Sequence, residues 1–176
     1  MKELKLIKQF YGDRTAERSK VPLINHIIEG LIVLHDINAS FAAMRAYCLH
    51  PMLQGDKELL ANIDQVVKEV DDLRVIALAL EYRSVANEFL SGKIGEVVHP
   101  DQIRLSPLKD VNDMLIADKV QNRKDFITYH LGTHLGTHPR STELNLYFHL
   151  WMQRLGIDDV RYQHLCSEID RLRVMM

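Results

Sequence analysis

The sequence predicts an all-α protein, a single compact multi-helix bundle, and three observations support this prediction. Apolar residues recur every three or four positions along most of the chain, and the alternation typical of half-buried β-strands is nearly absent. The 176 residues are enough for one domain with a substantial core. No linker and no domain-sized repeat interrupts the chain, so we expect one domain over residues 1–176.

Four helices are expected in the first half of the chain. The first covers about residues 2–10, and the second begins at Pro22, because proline is favoured at the first position of a helix. Ser40 can cap a third helix, which should stop just before Pro51. Asp56 can cap the fourth helix.

The second half is predicted to contain a long buried helix followed by three amphipathic ones. Residues 71–90 form the long helix, and residues 91–107, which include two glycines and two prolines, form a loop. A Ser-Pro pair at the end of this loop opens the next helix. Ser141 can cap a helix that stops at Gly156, and the last helix covers about residues 158–173.

Composition and charge narrow the range of partners and locations. The net charge is −2 with both signs mixed along the chain, so we expect no nucleic-acid partner. This net charge does not exclude a local cationic pocket that binds one phosphorylated ligand. No apolar run approaches the roughly 20 residues that span a bilayer, and the N-terminal segment is unlike a secretory signal. The two cysteines, Cys48 and Cys166, suggest no disulfide framework. We therefore expect a cytoplasmic protein without a membrane partner, whose amphipathic C-terminal helix permits a homo-oligomer.

One carboxylate falls on an apolar helical stripe. Asp118 lies seven residues after Val111 and three after Leu115, on the face that should point inward, and Asn122 follows one turn later. Burying such a group without a partner costs a few kcal/mol, so a buried Asp118 requires a cation, either a basic side chain or a metal.

Two histidines lie in similar surroundings. His26 is embedded in the most apolar helix of the N-terminal half, and His50 ends the next helix. Together with Asp118 they would form a two-histidine, one-carboxylate set for a divalent metal. Taken singly, each is more typical of a core histidine whose hydrogen bonds are satisfied by its neighbours, so both interpretations stay open.

Three segments share an order and spacing with a known family. They are RSKVPLINHIIEGL (18–31), AMRAYCLHPMLQGD (43–56) and LIADKVQNRKD (115–125). The chain resembles the HD-domain metal-dependent phosphohydrolases, most closely the (p)ppGpp-hydrolase branch of RelA/SpoT type, in a small stand-alone form like those of bacteria and phages. The resemblance implies an HD-domain-like helical fold, with the motifs in about residues 1–125 and a helical extension over about 126–176.

The resemblance also implies a role for each matching residue. His26, His50 and Asp118 map as ligands of a divalent metal ion, which could be Mn, Mg, Co, Zn or Fe. A phosphorylated nucleotide is the implied ligand of the pocket. The residues mapped to its binding are Arg18, Lys119, Asn122 and Arg123.

The second motif departs from the family pattern. His50 is similar to the histidine of the defining His-Asp pair, but Pro51 stands where the family has aspartate. Gln54 falls at the family's acidic pair, and Asp56 is displaced by one residue. The candidates for the catalytic role of orienting or deprotonating water are therefore Gln54, Asp56 and Glu29, the last one turn after His26.

Two other histidine patterns are weaker candidates for a metal-binding site. A His35-Asp36 pair occurs next to a predicted turn, nine residues after His26, and we expect it to play no part in the site. A repeat at His130, His134 and His138 could line one helix face, but its glycines weaken the helix and no acidic residue completes it.

An intact site of this kind would hydrolyse a nucleotide phosphate ester or pyrophosphate. The metal would lower the pKa of a bound water, a carboxylate would orient or deprotonate that water, and lysines would stabilise the phosphoryl charge. Because Pro51 and Gln54 replace acidic residues, a pseudoenzyme that binds or sequesters a nucleotide is the alternative. A purely structural or partner-binding helical domain is the third hypothesis. The sequence does not distinguish an alarmone from a deoxynucleotide or a cyclic dinucleotide.

Overall fold

The computed structural model describes residues 1–17, 19–88, 97–131 and 139–173, and the prediction of an all-α fold is confirmed there. The eight α-helices in these ranges are α1 (Lys2–Tyr11), α2 (Ile24–Asp36), α3 (Phe41–Leu53), α4 (Asp56–Glu69), α5 (Leu73–Ala86), α6 (Lys109–Asp125), α7 (Pro139–Arg154) and α8 (Asp159–Arg173). A 3₁₀ turn covers Pro100–Gln102, and a π-helical turn covers Phe126–His130. None of the described helices is long and apolar enough to cross a bilayer.

Helix α3 lies at the centre of the bundle. It packs against α5, α1 and α4, and its C-terminal half is almost entirely buried. Its sequence is apolar on all sides, as expected of a helix surrounded by neighbours. His50 is therefore placed in the interior, with only 2% of its surface exposed.

Helix α6 brings polar side chains into the same interior. It packs against α2, α5, α3, α7 and α8, although its mean hydropathy is low. Buried polar residues on it include Asp113, Asp118, Lys119 and Gln121. Because α2 and α6 lie side by side, the His26 side chain of α2 faces Asp118 of α6.

The expected stop of α3 before Pro51 is wrong. The helix continues through Pro51 to Leu53. Proline lacks the N–H that would bond to the carbonyl four residues earlier, which belongs to Tyr47. Here the Nδ1 atom of His50 lies 2.6 Å from that carbonyl oxygen, so the acceptor is satisfied from another direction. The Ser40 cap is confirmed, since its hydroxyl accepts a hydrogen bond from the Ala43 amide.

Other helix ends differ from the sequence prediction by a few residues. Helix α2 begins at Ile24 and not at Pro22, because Pro22 forms an isolated antiparallel bridge with Thr15. Helix α7 already begins at Pro139, so Ser141 lies inside it and is not its cap. Helix α5 is shorter than the predicted 71–90 and ends at Ala86, while residues 89–96 lie outside the described part of the chain.

Candidate metal centre

Three helices bring His26, His50 and Asp118 together. The two imidazole Nε2 atoms are 3.1 Å apart. The Asp118 Oδ1 atom lies 3.5 Å from the Nε2 of His26 and 4.0 Å from the Nε2 of His50. These residues are expected from the sequence to be ligands, and as a group they could hold a metal ion.

The spacing of these atoms fits a single divalent ion. An ion that bonds two atoms at about 2.1 Å keeps them about 3.0–3.4 Å apart for bond angles between about 90° and 109°. The Nε2 pair and the His26–Asp118 pair lie at or close to this range, and the His50–Asp118 pair is slightly wider. Two imidazoles and one carboxylate are a donor set for Zn, Mn, Fe or Co.

His50 is oriented by its own helix. Its Nδ1 atom faces the Tyr47 carbonyl oxygen, which can only accept a hydrogen bond, so Nδ1 carries the proton and Nε2 keeps its lone pair. Burial, followed by the nearby His26, lowers the pKa of His50 to about 3. His50 is therefore a neutral imidazole whose Nε2 lone pair points into the centre.

His26, like His50, contacts an oxygen atom through its Nδ1 atom. Its Nδ1 atom lies 2.6 Å from the side-chain oxygen of Gln121. The Tyr47 hydroxyl lies 3.4 Å from its Nε2 atom and packs against Gly30, where a Cβ atom would collide with the tyrosine ring. The side chain of His26 is 20% exposed, so this candidate ligand is the most accessible of the three.

Asp118 is ionised in the folded protein. Burial raises the pKa of its carboxyl group, but Lys119 and the two imidazoles outweigh this and lower the pKa to about 2. The Lys119 ammonium lies 2.8 Å from Oδ2, and the Asn122 amide donates to Oδ1 at 2.9 Å. Oδ1 is also the atom nearest to both imidazoles.

Lys119 is buried beneath aromatic rings of α7. Its ammonium nitrogen lies 5.0 Å from the centre of the Trp151 ring and 5.5 Å from that of Tyr147. Burial lowers the pKa of Lys119, but the Asp118 carboxylate raises it above its ordinary value. The lysine therefore stays charged and balances Asp118.

A cavity of about 490 Å³ opens onto the three candidate ligands. Among the residues mapped to nucleotide binding, Lys119 and Asn122 line it, whereas Arg123 stacks on Tyr162 at 4.3 Å and does not. Arg18 lies outside the described residues. Aromatic and apolar walls are contributed by Tyr11, Leu23, Phe126, Leu144, Tyr147 and Phe148.

The three candidates for the catalytic role occupy different places. Gln54 lines the cavity, and its side-chain amide donates to Asn87 at 3.1 Å. Asp56 does not line the cavity; it is largely exposed and forms an ion pair with Arg83. Glu29 is buried behind Gln121 and is likewise absent from the cavity wall.

The structure also brings in residues that the sequence interpretation missed. Gln121 contacts His26, and Asp125 lines the cavity one turn further along α6. Tyr82 packs its ring 5.0 Å from that of His50. Gln121 and Asp125 are polar residues within a helix rich in polar residues, so periodicity alone gave no signal for them.

The other histidine patterns lie in different surroundings. Asp36 of the His35-Asp36 pair forms an ion pair with Arg161 of α8 at 2.8 Å, and neither residue of the pair lines the cavity. His130 does line the cavity, whereas His134 and His138 lie outside the described residues.

Comparison with known proteins adds no assignment. No protein-family model, curated protein or solved structure matches this chain.

Proposed function

We propose that the protein is a metal-dependent phosphohydrolase of the HD-domain type that acts on a nucleotide phosphate ester or pyrophosphate. The observation that carries the proposal is the pair of Nε2 atoms 3.1 Å apart, next to an ionised carboxylate. Both imidazoles place Nδ1 against an oxygen atom, so both Nε2 lone pairs point at each other. A cation between them would remove this repulsion.

The charge of the centre suits a phosphorylated ligand. The Lys119 ammonium balances the Asp118 carboxylate, and His50 is neutral, so these three residues together carry no net charge before an ion binds. A divalent ion there would make the centre cationic and would supply Lewis-acid activation of water and of a phosphoryl oxygen. The cavity of about 490 Å³ is within the range of about 300–1,000 Å³ that is usual for small-molecule sites.

Hydrolysis also requires a group that accepts a proton. Asp118 and Asp125 are the carboxylates that line the cavity within the described residues. A bound ion would engage Asp118, so Asp125 would be the carboxylate available to take the proton released when the water oxygen bonds to phosphorus and the bond to the leaving oxygen breaks. Gln54 can orient the water through its amide but cannot accept its proton.

The second candidate function is nucleotide binding without turnover. This function is supported by the second motif, residues 43–56, which offers no free carboxylate. Pro51 and Gln54 carry no charge, and Asp56 forms an ion pair with Arg83. No carboxylate from α3 or α4 therefore reaches the cavity wall described above.

Turnover and metal uptake together test the proposal. We expect release of phosphate or pyrophosphate from a nucleotide panel in the presence of Mn²⁺, and loss of this release in Asp118→Asn. Asp36→Asn is the matched control, because Asp36 is a helical carboxylate paired with Arg161 away from the cavity.

Two outcomes would decide against turnover. Micromolar nucleotide binding without hydrolysis by any divalent metal would support the second candidate function. Failure to take up Mn²⁺, Co²⁺ or Zn²⁺ would contradict the metal centre itself.

A further inference from the structure

Gln121 lies between a proposed metal ligand and a buried acidic group. It is 1% exposed on α6, and its side-chain oxygen lies 2.6 Å from the Nδ1 atom of His26. Its amide nitrogen donates to Glu29 at 3.2 Å and to Asp125 at 2.8 Å. All polar atoms of the side chain are therefore used.

These partners determine which way the amide points. A carboxylate only accepts hydrogen bonds, so the NH₂ group must face Glu29 and Asp125. Turning the amide over would place its oxygen against two carboxylates and would lose both bonds. The oxygen therefore faces His26, and since it can only accept, the His26 Nδ1 atom must donate.

Glu29 is itself held from two directions. It is 1% exposed and accepts from the Lys124 ammonium at 3.0 Å and from the Arg173 guanidinium at 3.0 Å. Lys124 belongs to α6, and Arg173 is the last residue of α8. The Glu29 side chain is thus held in place by two basic side chains, which keeps Gln121 in one orientation.

We propose that Gln121 is a positioning residue that keeps His26 protonated on Nδ1, so that its Nε2 lone pair is free for a metal ion. Glu29 and Asp125 set the direction of the amide, and Glu29 thereby acts through Gln121 without touching the ion. The role of the Nε2 atom toward a metal rests on the proposed function, whereas the protonation state of His26 does not.

The protonation state can be measured in the metal-free protein. Long-range ¹⁵N–¹H NMR spectra distinguish the two neutral tautomers of histidine, and the His26 signals are identified by their loss in His26→Gln. We expect the Nδ1–H form in the wild-type protein. The Nε2–H form would overturn the proposal whether or not the protein binds metal, so its failure is distinct from failure of the metal centre.

Two substitutions at one position separate positioning from simple packing. Gln121→Leu removes the acceptor, and we expect the Kd for Co²⁺ to rise about 10–100-fold, as is usual when the outer hydrogen bond of a metal-binding histidine is lost. Gln121→Glu keeps an acceptor for His26, and the neighbouring Glu29 and Asp125 carboxylates favour the protonated form of the new carboxyl group, which can still donate one hydrogen bond to them. We therefore expect a rise of less than about tenfold. The control is Gln65→Leu, an exposed glutamine on α4, with an unchanged Kd.

Thermal unfolding of each variant shows whether it is folded at the assay temperature. Equal losses of Co²⁺ affinity in Gln121→Leu and Gln121→Glu would assign Gln121 to packing and overturn the proposal. Should Gln121→Leu fail to fold, or should the wild-type protein bind no Co²⁺, the tautomer of His26 in the wild-type protein still decides.

Discussion

Replacing Pro51 by alanine should make the protein more stable and its metal centre weaker. Proline inside a helix is about 3 kcal/mol less favourable than alanine, and Pro51 lies inside α3. The variant would regain an amide N–H at position 51, aimed at the Tyr47 carbonyl that now bonds the Nδ1 atom of His50. The two donors would then compete for one oxygen.

The size of the stability change follows from three contributions. The gain of about 3 kcal/mol is reduced by about 0.4–1 kcal/mol, because alanine leaves the unfolded chain freer than proline does. Weakening the His50 hydrogen bond removes up to about 1 kcal/mol more. We therefore expect a net stabilisation of about 1–2.6 kcal/mol. For a chain of this size that corresponds to a rise in Tm of roughly 2–10 °C.

The affinity for metal should move in the opposite direction. With its Nδ1 acceptor shared, His50 spends part of its time in the other tautomer, and the Kd for Co²⁺ should rise by up to about tenfold. Urea unfolding and Co²⁺ titration measure the two effects on one sample. Pro107→Ala is the control, because Pro107 is exposed and precedes α6. A less stable Pro51→Ala variant, or one with unchanged Co²⁺ affinity, would refute this reasoning.

Two further predictions concern acid and packing. Because the pKa of His50 is about 3 in the folded protein and about 6.5 when unfolded, the unfolded chain binds more protons between these values. The free energy of unfolding should fall as pH falls through this window, by at most about 1.4 kcal/mol per pH unit, and His50→Asn should flatten the slope measured by urea unfolding. Gly30→Ala should cost about 1–3 kcal/mol, because the new Cβ atom collides with the Tyr47 ring. Adding Tyr47→Leu should then cost less than the sum of the single changes, and strict additivity in thermal unfolding would contradict this.

The proximity of His26, His50 and Asp118 could be predicted from the sequence because each of these polar residues breaks an apolar pattern. Asp118 falls on the buried stripe that Val111 and Leu115 define, and the structure buries all three residues. His26 and His50 lie in apolar helices that pack near α6. A polar residue on a buried helical face must meet a partner, so the pattern itself predicts that such residues lie close together.

The positions around the ligands could not be predicted in the same way. Asp56 lies one residue beyond the position at which the sequence resemblance predicts an acidic residue, and one residue turns a helix by about 100°, so this small shift decides which way the side chain points. It pairs with Arg83 and does not reach the cavity. Glu29 follows His26 by one turn, but it meets Lys124 and Arg173 from two other helices. Contacts between helices leave no trace in the periodicity of one helix.

The aromatic cover of Lys119 has a practical consequence. Trp151 is the single tryptophan of the chain, and it is fully buried. Its ring lies 5.0 Å from the ammonium that neutralises Asp118. An ion that drew the carboxylate toward the imidazoles would change the electric field at the indole, so the emission wavelength of Trp151 should report on occupancy without any added dye. The molecule thus contains an intrinsic fluorophore at the back of its own candidate centre.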